Sequence, residues 1–189
     1  KGIKKKKKFI KKMSALSAAR GVSQVMNRCE DAKSSGFLDL SDCELMYIAD
    51  ALYMVLSGYE ITRCSLKNNK LKKFPLKMIK NFPNMDIFNL EGNQITELPP
   101  EIIKWTKLKG INIANNKFTQ FPGQLFECKC LVLLDISGNL IEEIDYMTIY
   151  SSLPTLKQLH MRQNPICQRQ DVIRQICDEL EPKIKIIHK

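Results

Sequence analysis

Residues suited to chemistry are scarce in this 189-residue chain, which holds two histidines, His160 and His188, and one tryptophan, Trp105. It has no Gly-x-x-x-x-Gly-Lys segment to cradle a phosphate and no Gly-x-Ser-x-Gly turn to lift a nucleophile. Cys128-x-Cys130 has no second pair at zinc spacing, and neither histidine sits in a metal or nucleophile motif. No catalytic residue, metal ligand, cofactor or small-molecule substrate is therefore expected, and the chain reads as a non-enzyme. No apolar run approaches the roughly 18 residues of a membrane span. The first eight residues are mostly lysine and no long apolar stretch follows, so no secretory signal is expected. No Asn-x-Ser/Thr site occurs, and seven cysteines cannot all pair with one another. A reducing compartment is the better reading: cytoplasm, with the nucleus as alternative.

Acid is missing altogether from residues 1–20, which hold eight lysines and Arg20. Of the 30 basic residues 21 remain beyond that segment, against 20 acidic ones. Nine of the ten formal positive charges are thus assigned to this segment, and the rest is expected to be nearly neutral. The run Lys4–Lys12 would attract an anionic membrane or nucleic acid, or serve as a nuclear import signal, if it does more than solvate a disordered end. The chain begins with lysine rather than methionine, and the run is homopolymeric, so a processed end, a fragment boundary or a cloning remnant is a further reading of it.

What the sequence does have is a repeat. Met85-x-x-Phe88-x-Leu90-x-x-Asn93-x-Ile95 recurs as Leu108-x-x-Ile111-x-Ile113-x-x-Asn116-x-Phe118 and as Leu131-x-x-Leu134-x-Ile136-x-x-Asn139-x-Ile141. The copy before them runs from Ile61 through Cys64, Leu66 and Asn69 to Leu71; the copy after them runs from Leu156 through Leu159, Met161 and Asn164 to Ile166. A degenerate first copy reads Leu38-x-Leu40-x-x-Cys43-x-Leu45. The anchors Cys43, Asn69, Asn93, Asn116, Asn139 and Asn164 lie 26, 24, 23, 23 and 25 residues apart. A fixed period of this size predicts stacked units, each burying its aliphatics against its neighbours. The alternating pair in each copy predicts a short strand with both apolar side chains on one face. The asparagines Asn69, Asn93, Asn116, Asn139 and Asn164 are expected to satisfy backbone groups where the chain turns inward. Leu98-Pro99-Pro100-Glu101 suits a short helical turn on the return path, and Phe74-Pro75 and Phe121-Pro122 punctuate two other copies there. Trp105 falls on the segment re-entering the strand, where packing is favoured over a binding platform.

The pattern resembles the leucine-rich repeat family, over roughly residues 36–189, in its small intracellular form. The resemblance implies an α/β solenoid, curved, with parallel strands on the concave face and caps at both ends. It also implies a monomeric protein-interaction module or adaptor with a protein partner; a regulatory subunit of an enzyme such as a phosphatase is an alternative by fold analogy alone. Cysteine is tolerated at the anchor position in this family, so Cys43 reads as a buried structural thiol.

Four segments are expected: a basic tail over 1–12, a capping helix over 13–35, about six repeats over 36–166, and a C-terminal cap over 167–189. Val22, Val25, Met26 and Cys29 recur at helical steps at the N-terminal end, and Ser34-Ser35-Gly36 would stop that helix. At the other end Val172, Ile173 and Ile176 share a helical face, Pro182 would end the helix, and Ile184-x-Ile186-Ile187 would add a last strand.

The period also picks out the solvent side of the strands. Arg63, Ser65, Lys67, Ile87, Asn89, Glu91, Asn112, Leu133, Asp135, Gln158, His160 and Arg162 are expected to form the partner-binding surface, beside Phe37 and Asp39. Mixed charge with exposed apolar residues suits a protein partner better than nucleic acid, which favours a surface of one sign.

Overall fold

A computed structural model describes residues 21–180 and 183–188. The expected tail at 1–12, the capping-helix residues 13–20 and Pro182 lie outside them. Seven three-residue strands form one parallel sheet in chain order. They are β1 (Phe37–Asp39), β2 (Arg63–Ser65), β3 (Ile87–Asn89), β4 (Gly110–Asn112), β5 (Leu133–Asp135), β6 (Gln158–His160) and β7 (Lys185–Ile187). Register is constant: Leu38 faces Cys64, Cys64 faces Phe88, and the same step carries through Ile111, Leu134, Leu159 and Ile186. This is the α/β leucine-rich repeat solenoid that the period implies. The repeated aliphatics are its core; Leu38, Leu40, Leu66, Phe88, Leu90, Ile111, Ile113, Leu134 and Ile136 are all buried. Each such side chain is worth about 1.5–3 kcal/mol of burial.

The return path depends on repeat length. The two repeats of 23 residues cross with 3₁₀ turns, Pro100–Lys104 and Gly123–Glu127. The longer repeats cross with α-helices: α2 (Asp50–Val55), α3 (Lys77–Asn81) and α4 (Tyr146–Ser152). A 3₁₀ turn rises about 2.0 Å per residue and an α-helix about 1.5 Å, so shorter repeats span the same wall with fewer residues. These elements are wider than a strand spacing of about 4.8 Å, which bends the stack with the sheet inside.

Asparagine binds the turns into a ladder. Asn116 Nδ2 donates to Leu90 O at 2.9 Å and Ile113 O at 3.1 Å, and its Oδ1 accepts from Ile95 N at 3.0 Å. Asn93, Asn139 and Asn164 make the same three bonds one step along, and Asn69 makes the first set. Each side chain therefore joins its own repeat to the preceding one. Trp105 is fully buried, donates from Nε1 to Phe82 O at 2.9 Å and meets Phe88 edge-on at 4.8 Å.

A helix over residues 21–35, α1, covers the first repeat with Cys29 and Ala32 buried and Val25 packed on the core. Val22 and Met26, placed on the same apolar face by their spacing, are instead exposed; Val22 retains 64% of its surface. At the other end a 3₁₀ turn (Pro165–Gln168), α5 (Gln170–Leu180) and β7 close the stack, with Ile173, Ile176, Leu180 and Ile184 buried.

Candidate functional site

The solvent face of the sheet is three columns of side chains. Phe37, Arg63, Ile87, Gly110, Leu133 and Gln158 form the first. Arg63 lies over the Phe37 ring at 5.4 Å, and Ile87 keeps 49% of its surface exposed. Leu133 is half-buried and Gly110 is buried.

Asp39, Ser65, Asn89, Asn112, Asp135 and His160 form the central column. The first five share a structural task. Asn89 Oδ1 accepts from Glu91 N at 2.9 Å, Asn112 Oδ1 from Ala114 N at 2.9 Å, and Asp135 Oδ1 from Ser137 N at 2.9 Å. Asp39 Oδ1 does the same for Ser41 N at 3.0 Å, and Ser65 Oγ more weakly for Lys67 N at 3.5 Å. A short polar side chain holding the amide two residues on is the geometry of an Asx turn. It ends each strand, and it commits one oxygen of these residues to the fold. Ser65 is itself buried and exchanges a hydroxyl bond of 2.7 Å with Ser41. The recurrence of Asp or Asn two residues after the strand start is a sequence signal for this role.

Ser41, Lys67, Glu91, Ala114, Ser137 and Arg162 form the third column. Lys67 pairs with Glu91 at 3.0 Å, and Asn112 Nδ2 donates to the same carboxylate at 3.3 Å. Toward the C-terminus His160 Nδ1 lies 3.6 Å from Asp135 Oδ2, its Nε2 lies 3.4 Å from Gln158 Oε1, and Arg162 is exposed. The face therefore brings together three groups: Arg63 with Phe37, Lys67 with Glu91 and Asn112, and Asp135 with His160 and Gln158.

Arg28 reaches this face from α1, and nothing in the repeat pattern marks it. Its Nη1 donates to Asp39 O at 3.2 Å, to Ser41 O and to Cys43 Sγ at 3.3 Å, and lies 3.9 Å from the Asp39 carboxylate. Burial alone would raise the Asp39 pKa, but the Ser41 hydroxyl and amide, with Arg28, hold it below the usual carboxylate range.

Near-neutrality beyond the tail holds only on average, and the assignment of basicity to the tail alone needs correction. Residues 61–85 contain Arg63, Lys67, Lys70, Lys72, Lys73, Lys77 and Lys80 and no acid. Summing charge over the whole repeat region concealed one repeat of a single sign.

No disulfide joins any of the seven cysteines. Burial raises the Cys29, Cys43, Cys64 and Cys167 thiols and pushes Cys128 up to about 11. Among the described residues no cluster of three His, Cys, Asp or Glu is placed to hold a metal ion, and no helix is long and apolar enough to cross a membrane.

The leucine rich repeat family model matches residues 83–141. Tsukushi of Gallus gallus is 28% identical over 140 residues, covering 72% of this chain and 37% of that protein. Leucine-rich repeat-containing protein 58 of Homo sapiens is 30% identical over 90 residues, covering 44% of this chain and 24% of that protein. The chain thus spans well under half the length of these relatives. Among solved structures, a leucine-rich repeat protein of Leptospira interrogans superposes with a TM-score of 0.59 at 25% identity, over 74% of this chain and 34% of that one. These matches support the leucine-rich repeat family and, with it, a protein–protein interaction module.

Proposed function

We propose that this chain is a non-catalytic intracellular adaptor that docks a protein partner on its concave sheet. The observation that carries the reading is the uncovered face itself. It presents Ile87 and Phe37 beside charges of both signs, with no element of the chain's described residues laid across the strands. An exposed apolar column within a polar frame is the composition of a protein interface rather than a nucleic-acid one. The intracellular setting is supported by seven cysteines outside any disulfide and by the lack of an Asn-x-Ser/Thr site. The helical N-terminal segment ahead of a degenerate repeat, with Leu38-Asp39-Leu40 before Cys43, resembles leucine-rich repeat-containing protein twenty, a small intracellular member.

The test has two steps. Affinity capture from native lysate identifies a partner, and calorimetry then compares the wild type with Arg63→Glu/Arg162→Glu. Weakened binding by the charge-reversed chain is expected. Unchanged affinity rejects the concave face.

A further inference from the structure

A recess of about 510 Å³ lies between the first two repeats, away from the concave sheet. Its floor is apolar: Tyr53, Leu71 and Phe74 are buried there. Its walls are apolar but open, with Met46 and Tyr47 exposed at 67% and 73%. The volume is within the usual range for sites that seat a side chain or small ligand, about 300–1,000 Å³.

Around this recess runs the acid-free repeat. Lys70, Lys72, Lys73 and Lys77 line it, and Asp50 is the sole acidic residue in its lining. Lys77 pairs with Asp50 at 2.6 Å and Lys70 with Glu44 at 3.1 Å, so both local acids already have a cation. Lys72 and Lys73 are exposed on the rim. We infer that this recess docks an acidic amphipathic peptide segment of another protein, its apolar side chain seated on Tyr53 and Phe74 and its carboxylates on Lys72 and Lys73. Charge complementarity selects the sign of the partner, and the apolar floor requires an anchor residue. A bilayer is the poorer fit, because Tyr53, Leu71 and Phe74 lie at the bottom of a recess that a lipid surface does not enter.

The site is independent of the concave face and is tested separately. The probe is a fluorescein-labelled peptide of about four helical turns with Leu and Phe at i, i+3, i+4 and i+7 and Glu elsewhere. Anisotropy with the full chain should show binding that weakens about tenfold or more in Lys72→Glu/Lys73→Glu and in raised salt. Replacing the peptide's Leu and Phe by Ser should abolish binding. Lys104→Glu/Lys107→Glu, which makes the same charge change on another repeat, should leave it intact. Several results overturn the inference: no binding, equal binding of the Ser peptide, or equal loss in the Lys104/Lys107 control. Retention by the Lys72/Lys73 variant would trace binding to the Lys4–Lys12 run and overturn it too. Lysine-dependent capture by phosphatidylserine vesicles without peptide binding would assign the face to a membrane instead.

Discussion

Arg28 donates to the backbone oxygen of Asp39 at 3.2 Å, in the place where the amide of a preceding repeat would stand. Inside the stack, Leu40 N bonds Ser65 O and Asp42 N bonds Lys67 O. Asp39 O and Ser41 O are the equivalent acceptors in the first repeat, and no repeat precedes it among the described residues. One guanidinium from α1 serves both. The N-terminal cap therefore completes the sheet edge by hydrogen bonding as well as covering the core. Arg28→Ala should cost about 1–3 kcal/mol in urea unfolding, since two acceptors lose a charged donor. It should also promote association in size-exclusion chromatography, because an edge strand stripped of its cover pairs readily. Arg28→Lys, with one donor cluster in place of a planar fork, should fall between.

Cys43 and Asn116 occupy one position in the repeat and should answer substitution differently. Asn116 bonds four backbone groups, two of them, Leu90 O and Ile95 N, in the preceding repeat. Asn116→Ala should cost about 3 kcal/mol or more, since several buried groups lose partners at once. Asn116→Asp should be at least as damaging, because a carboxylate cannot donate to Leu90 O and Ile113 O. Cys43 has no upstream repeat to join among the described residues, and its thiol already donates to Ser41 O at 3.4 Å and accepts from Arg28 Nη1 at 3.3 Å. Cys43→Asn should therefore bring no stabilisation. Urea midpoints of the three variants check the contrast.

The architecture was legible because each buried position recurs. One misplaced aliphatic would be noise, but five copies at a fixed offset fix strand, face and anchor together. The distribution of roles over the concave face was not legible in the same way. Alternation shows that Asn89, Asn112 and Asp135 face solvent, but not that each turns back to hold its own strand end. Arg28 was hidden because it sits outside the repeat and two of its acceptors are carbonyls, which leave no trace in side-chain spacing. Val22 and Met26 match the helical period yet remain exposed, since periodicity gives a face and not what covers it.

Trp105 reports on the centre of the stack. Its full burial between Phe74 and Phe88, with its indole N–H on Phe82 O, predicts a blue-shifted emission that resists iodide quenching. Unfolding should shift the emission red in one transition with the circular dichroism signal. Trp105→Phe should lower stability by about 1–3 kcal/mol, leaving a buried carbonyl without its donor and part of the volume empty.

The cysteines should separate by exposure. Cys130 is exposed, whereas Cys29, Cys64 and Cys128 are buried with raised thiol pKa values. A thiol-disulfide reagent at mildly alkaline pH should label Cys130 first, and Cys130→Ser should remove that phase. The buried three should react only on unfolding, because the thiolate is the reactive form.

Backbone handedness gives the sharpest test of the repeat geometry. The residue before each anchor is left-handed in all six repeats: Asp42, Asn68, Gly92, Asn115, Gly138 and Gln163. These residues stack; Asn68 Nδ2 donates to Asp42 Oδ1 at 3.0 Å, and from Asn68 to Gln163 large and small alternate where they meet. A Cβ on Gly138 would lie 2.1 Å from Asn115 Oδ1, and one on Gly92 would lie 2.4 Å from Asn68 Oδ1. Gly138→Ala should therefore cost more than the roughly 1–2 kcal/mol of left-handed strain, because Asn115 must move as well. Pairing it with Asn115→Gly should recover the clash but not the strain, a coupling that a double-mutant cycle measures. Gln163, the last member, bears the same strain with a side chain ill suited to it. Gln163→Gly should therefore be neutral to stabilising by up to about 1 kcal/mol, the relief of strain being offset by the greater freedom glycine gives the unfolded chain. A loss of stability at Gln163 as large as that at Gly138→Ala would show that the side chain, and not the backbone angle, governs the turn.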